Sequence, residues 1–239
     1  MLSVVGLQKA FGAVVVADDT SFSVDKGAAV GILGPNGAGK TSLFNLITGA
    51  LQPDAGRIEF DGKDITRMSA AQRCTMGISR SFQVPQPFGG MSVFENALVG
   101  ATHGAGLSGK AAESHVMQIL EATGLVDSAN TKAASLTLLN RKRLEMARAL
   151  AAKPRLLLLD EIAGGLTDAE CVALIDTIKR VHATGTTIIW IEHVVHALMA
   201  VVQQLIVINF GRKIAQGEPG AILDSRDVKE IYLGVDPDG

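Results

Sequence analysis

The chain opens on short β-branched runs, Val4 to Leu7 and Val14 to Val16, followed by Thr20, Phe22 and Val24 alternating with Ser21, Ser23 and Asp25. Alternation at period two predicts half-buried strands of an antiparallel sheet. After Lys26-Gly27 the pattern becomes a continuous apolar run, Ala28 to Leu33. A run apolar on both faces predicts a buried parallel strand. Thr41 to Leu51 then carries Leu43, Phe44, Leu46 and Ile47 at helical spacing, so strand, glycine loop and helix follow one another directly. Gln52-Pro53-Asp54-Ala55-Gly56 breaks that helix, Arg57 to Phe60 reads as a strand, and Asp61-Gly62 signals a tight turn.

From Val84 to Gly109 prolines and glycines loosen the texture, which marks the boundary of an inserted, mainly helical segment over about 84–151. Ala111 to Thr123 and Asn140 to Ala152 read as helices, the second with Leu144, Ala147 and Ala151 on one stripe. Leu156 to Leu159, Thr186 to Ile191 and Leu205 to Asn209 are a second, third and fourth apolar strand, with helical stretches between the first three of the four. Strands alternating with helices predict a parallel α/β sheet. Arg226 to Leu233 reads as a closing helix.

Composition narrows the class. With 47% apolar and 19% charged residues in 239, the chain has ample material for a core, which excludes disorder. The mean hydropathy of +0.28 raises the question of a membrane span. The longest uncharged run, the 17 residues from Val194 to Phe210, includes His196, Gln203, Gln204 and Asn209, and is too short and polar for one. The N-terminal residues carry no cationic stretch leading into a long apolar run, so no signal peptide is expected. A net charge of −2 gives no electrostatic reason to expect nucleic acid as partner. Cys74 and Cys171 lack metal-ligand spacing, and a reducing compartment is the default reading.

Chemistry concentrates in two places. Gly34-Pro35-Asn36-Gly37-Ala38-Gly39-Lys40-Thr41 fits the phosphate loop G-x4-G-K-[ST]. Small residues let successive backbone N–H groups wrap a phosphate, the helix beginning near Lys40 aims its positive end there, Lys40 adds charge, and Thr41 offers a hydroxyl to Mg2+. Leu156-Leu157-Leu158-Leu159-Asp160-Glu161 is an apolar strand delivering two carboxylates to the sheet edge where α/β folds bind ligands. Asp160 would hold Mg2+, directly or through water, and Glu161 would polarise the attacking water.

With these motifs the chain resembles, over essentially its whole length, the nucleotide-binding subunit of ATP-binding-cassette transporters. The resemblance rests on their order: phosphate loop, Gln83 after the strand Ile78 to Phe82, a signature segment leading a helix, Leu159-Asp160-Glu161, and His193 after Thr186 to Ile191. It implies one cassette domain over 1–239, of α/β class. Its RecA-like P-loop NTPase core and antiparallel β part would occupy about 1–83 and 152–239, with a helical subdomain over about 84–151. The implied nucleotide-binding set is Phe11, Gly34, Pro35, Asn36, Gly37, Ala38, Gly39, Lys40, Thr41 and Ser42. Phe11 would stack on adenine, Gln83 would touch Mg2+ and the water, and His193 would contact the γ-phosphate. Seen singly, Gln83 reads rather as a solvated strand end and His193 as a core histidine capping a strand, and Phe11 reads as a core aromatic even in this context.

The signature departs from the family pattern. Leu136-Thr137-Leu138-Leu139-Asn140 stands where Leu-Ser-x-Gly-Gln is usual, so Leu139 replaces a glycine whose backbone approaches the γ-phosphate held by the other subunit. Ile162 replaces the usual proline after the catalytic Glu, and Thr167 the usual aspartate. Intact Lys40 and Glu161 beside an altered signature imply a heterodimer with a second ATPase whose signature is intact; the alternative is that Leu139 is tolerated with a small backbone adjustment.

Ser79-Arg80-Ser81-Phe82-Gln83, Phe11-Gly12 to Ala17-Asp18-Asp19, Gly211 to Gly217, and Ile231-Tyr232-Leu233-Gly234 look like the branched-chain amino acid importer group. That group implies two transmembrane permease subunits, two ATPases and an extracytoplasmic solute-binding protein, with ATP and Mg2+ as cofactors. The chain would then sit peripherally on the cytoplasmic face of the inner membrane. Val84, Pro85, Pro87, Phe88 and Met91 would meet a permease helix, or fold onto the helical subdomain. Two rivals are a soluble cassette ATPase acting on nucleic acid or ribosomes, for which only Arg141-Lys142-Arg143 is densely basic and could equally be a solvated helix face, and a non-hydrolysing regulatory subunit.

Overall fold

The computed structural model describes residues 1–233; Gly234, which ends the C-terminal pattern, lies outside them. Strands β1 (Leu2–Phe11), β2 (Val14–Val24), β4 (Ala55–Phe60) and β5 (Lys63–Asp64) form an antiparallel sheet in the order β2-β1-β4-β5. Thr20, Phe22 and Val24 are buried, as their alternation requires. The second sheet has the order β10-β9-β3-β8-β7-β6, built from β3 (Ala29–Leu33), β6 (Ile78–Arg80), β7 (Leu156–Asp160), β8 (Thr187–Ile191), β9 (Gln204–Asn209) and β10 (Arg212–Gly217). β6, β7, β8, β3 and β9 run parallel, and β10 returns antiparallel to β9.

The unbroken apolar runs are buried on both faces. Leu156, Leu158, Ile189 and Ile191 pack with α1 (Lys40–Thr48) and the antiparallel sheet. Leu157, Leu159, Ile188 and Trp190 face α5 (Leu138–Ala151) and α6 (Asp168–Ala183) on the other side. Since successive side chains of a strand point to opposite faces, one tetraleucine run feeds two cores. A third core joins α3 (Val93–Val99), α4 (Gly109–Thr123) and the Leu144, Ala147, Ala151 stripe of α5. From 93 to 151 the regular elements are all helical, including a π-helical turn Gly100–Gly104.

Several boundaries differ from the sequence expectation. α1 stops at Thr48 rather than running to Leu51, because Gly49 adopts the left-handed conformation and its N–H bonds Leu46 O. β6 stops at Arg80 and leaves Phe82 half exposed. α2 (Ala70–Thr75) and α3 were not anticipated, although both open with capping boxes, Ser69 with Gln72 and Ser92 with Glu95. Three short helices, α7 (Val195–Met199), α8 (Pro219–Asp224) and α9 (Arg226–Leu233), are the remaining helices of the described residues. Among the described residues no helix is long and apolar enough to cross a membrane.

Candidate nucleotide site

All parallel strands end at one edge of the sheet, so whatever follows β3, β6, β7 and β8 converges there. Those segments are the phosphate loop, Gln83, Asp160-Glu161 and Glu192-His193. The loop is braced from outside: Gly211 N–H donates to Ala38 O at 2.9 Å, and Gly211 O accepts from Asp18 N–H. Gly39 has φ +98°, and a Cβ there would stand 2.3 Å from Val16 O. Only glycine satisfies both the conformation and that close approach. Gly39 also caps α1 with no side chain, leaving the first-turn N–H groups of the helix directed at the loop. Lys40 is 5% exposed and its Nζ donates to Gly34 O and Pro35 O at 2.7 and 2.9 Å. Burial lowers its pKa, while the nearby Glu161 and Asp160 carboxylates act in the opposite sense. Thr41 lies exposed at the start of α1, with Ser42 half-buried beside it.

The two carboxylates have different surroundings. Asp160 is 1% exposed; Oδ2 accepts from Arg80 Nη2, and Oδ1 is buried without a hydrogen-bond partner. Burial raises its pKa, opposed by the hydrogen bond and charge of Arg80. Glu161 sits in a left-handed backbone conformation, φ +47°, held by its N–H to Ile191 O at 2.8 Å. Such conformations cost a side-chain-bearing residue about 1–3 kcal/mol and cluster where function holds them. Glu161 Oε1 meets His193 Nε2 at 2.7 Å, and Oε2 accepts from Gln83 Nε2. Gln83, Glu161 and His193 therefore form one hydrogen-bonded cluster, although 78 and 32 positions separate Glu161 from its partners.

Sequence reasoning missed three residues that shape this edge. Glu192, 1% exposed, accepts Ala163 N–H with Oε2 and His193 N–H with Oε1, tying the segment after Glu161 to that of His193. Lys142, also buried, donates to Glu161 O at 3.4 Å; burial lowers its pKa and Glu192 opposes that shift. Its burial corrects the idea that Arg141-Lys142-Arg143 is a solvated basic face, and Arg141 is itself occupied by Ala134 O. Arg80 is the third. Each contacts partners remote in sequence, so no local pattern announces it.

Phe11, 53% exposed with Lys9 Nζ 5.4 Å above its ring, is not a core aromatic but offers an open face. In the signature segment Leu136 is buried and Thr137 caps α5, accepting Asn140 N–H. Leu138 is 45% exposed, while Leu139 is half-buried and packs onto the core that contains Met146 and Ile162. Val84 and Phe88 are exposed, with Arg148 lying 4.9 Å from the Phe88 ring centroid, whereas Pro85, Pro87 and Met91 are half-buried. Among the described residues no cluster of three or more His, Cys, Asp or Glu side chains could cage a metal. The donors suit Mg2+ instead, which is commonly held by one or two carboxylates, water and the substrate's phosphates. The partnerless Asp160 Oδ1 and the Thr41 hydroxyl fit that role.

A model of the ABC transporter family matches residues 17–164. The chain is 35% identical, over 98% of both chains, to the high-affinity branched-chain amino acid transport ATP-binding protein BraF of Pseudomonas aeruginosa. It is 33% identical, again over 98% of both, to the lipopolysaccharide export system ATP-binding protein LptB of Escherichia coli. The crystal structure of a nucleotide-free ATP-binding cassette from an ABC transporter superposes with a TM-score of 0.90 at 32% identity, covering 98% of this chain and 99% of that one. With a RecA-like P-loop core beside an antiparallel sheet and a helical insertion, the chain belongs to the ABC transporter family as an ATP-binding ATPase subunit.

Proposed function

We propose that this subunit hydrolyses Mg-ATP to drive uptake of branched-chain or other hydrophobic amino acids. The observation that carries the catalytic part is the Gln83–Glu161–His193 cluster at the sheet edge occupied by Lys40 and Asp160. In this reading the loop N–H groups, Lys40 and Thr41 neutralise the phosphates, and Phe11 stacks on the base. Asp160, Thr41 and Gln83 would hold Mg2+, which would supply positive charge to neutralise the phosphates. Glu161 orients the attacking water; Gln83 and His193, now on its carboxylate, become sensors of the γ-phosphate.

Nucleotide would be enclosed between this chain and a second, different ATPase, because the segment carrying Leu139 serves the partner's site and departs from the family pattern. Closure drives transport and hydrolysis resets it. The complex would contain two permease subunits and a solute-binding protein, and would hold this chain peripherally at the cytoplasmic face of the inner membrane. The importer assignment rests on similarity to the amino acid transport protein together with the sequence patterns shared with that group. The similar identity to LptB favours one second reading, export of a lipid-like substrate.

Glu161→Gln keeps the shape but removes the base. ATP affinity should stay within about twofold while turnover falls roughly 10²–10⁴-fold, the usual worth of a positioned base. Unchanged turnover rejects Glu161. Uptake of labelled leucine by proteoliposomes holding the whole complex, stimulated by binding protein, tests direction and substrate; extrusion of lipid instead supports the second reading.

A further inference from the structure

The segment Ser79 to Gln83 brings Gln83 to the site, yet its charged member, Arg80, has no part in the chemistry above. Its side chain is 7% exposed. Nη2 donates to Asp160 Oδ2 at 2.5 Å and Nη1 to Asn45 Oδ1 at 2.6 Å, and its Cζ lies 5.5 Å from the Phe44 ring centroid and 5.1 Å from that of Phe82. One guanidinium thus joins β6 to the end of β7 and to α1, the helix that begins at the phosphate loop. A planar fork can bond two acceptors and stack on two rings at once; an ammonium cannot. Arg80 and Phe82 also line a groove of about 490 Å³ between the core and the helical elements, which places the groove wall one side chain from the carboxylate.

Asp160 has two oxygens and only one with a partner in the protein. An unpinned carboxylate at the end of β7 could rotate about χ2, or turn from Glu161, whose charge is adjacent. Pinning Oδ2 fixes Oδ1. The cation then meets an acceptor already oriented, so less side-chain freedom is lost on binding.

We propose that Arg80 is a positioning residue for the metal carboxylate, holding Asp160 Oδ2 so that Oδ1 is presented to the divalent cation. This rests on the reading of Asp160 as a metal ligand, and the test separates the two. Mn2+ is titrated into the full chain saturated with ADP, and free Mn2+ is read by electron paramagnetic resonance. Arg80→Gln should weaken Mn2+ binding at least tenfold while ADP affinity in EDTA changes less than twofold. Arg80→Lys should recover part of the loss. Asn45→Ala, which frees one side of the fork, should weaken Mn2+ binding about threefold, and carries the test should Arg80→Gln fail to fold. A merely structural role would lower ADP affinity together with Mn2+ affinity. Unchanged or tighter Mn2+ binding in Arg80→Gln, or in Asn45→Ala where Arg80→Gln does not fold, overturns the proposal. Asp160→Asn is the control. If it leaves Mn2+ affinity intact, the metal-ligand reading fails; if it abolishes tight binding while the Arg80 variants do not, only the role of Arg80 fails.

Discussion

Asp160 and Glu161 are adjacent, but their environments separate their behaviour. Burial raises the Asp160 pKa despite Arg80, so the fold accommodates its protonated form better than its ionised one. A carboxyl raised in the folded state contributes stability that is complete below its unfolded value and is lost as pH rises through the folded value. At neutral pH the ionised group is therefore a cost carried by the nucleotide-free protein. Asp160→Asn, which stays neutral and keeps an acceptor for Arg80, should melt above the parent at pH 7 without nucleotide or metal. The gap, about 2–4 °C for each kcal/mol relieved in a chain of this size, should close as pH falls to about 4, which melting curves across that range would check. Asp160 and Glu161 were legible because they follow an apolar strand directly. Gln83 and His193 were legible only through their order along the chain. Arg80 was not legible as a partner of Asp160, 80 positions away, nor could the φ of Glu161 be read, since both are products of tertiary packing.

At the scale of elements, strand–loop–helix was readable because periodicity changes at the phosphate loop, whereas what braces the loop was not. Val16 on β2 and Gly211 before β10 lie 23 and 172 positions from Gly39, and they decide how closely its backbone may pack. Gly39→Ala would incur about 1–2 kcal/mol for the left-handed conformation and, in addition, a clash with the Val16 carbonyl, a backbone atom of a paired strand. The melting temperature should fall by about 4 °C or more, with ATP affinity reduced at least tenfold in a fluorescence titration. Retention of both would mean that β2 yields freely. α2 and α3 escaped notice for a different reason. Their capping boxes were present in the sequence, but each helix is too short, at 6 and 7 residues, to show a convincing apolar stripe.

For the whole molecule, the apolar excess is accounted for by three cores, two of them sharing the parallel sheet, and the proposed pairing with a different ATPase turns on one residue. The sequence identified Leu139 as the departure, but not the direction of its side chain. It is half-buried and packs against the core beneath α5 and α6, while Leu138 is 45% exposed. In the proposed reading, the first turn of α5 therefore gains internal packing at the position where a glycine backbone would close on a neighbour's phosphate. In a pair of identical chains both composite sites would carry this turn; with a different partner, the site built on Lys40 and Glu161 would receive that partner's signature. The isolated chain should consequently hydrolyse ATP at least tenfold more slowly than the complex, even at concentrations that favour pairing. Leu139→Gly should raise the isolated rate and make it steeply dependent on protein concentration. It should also lower the melting temperature, because Leu139 lies in the first turn of α5 and its apolar packing is lost. Leu139→Ala separates the effects: it removes most of the packing yet keeps a Cβ on the turn, so it should destabilise without restoring the rate. Equal rates for the unaltered isolated chain and the complex would reject the mixed pair.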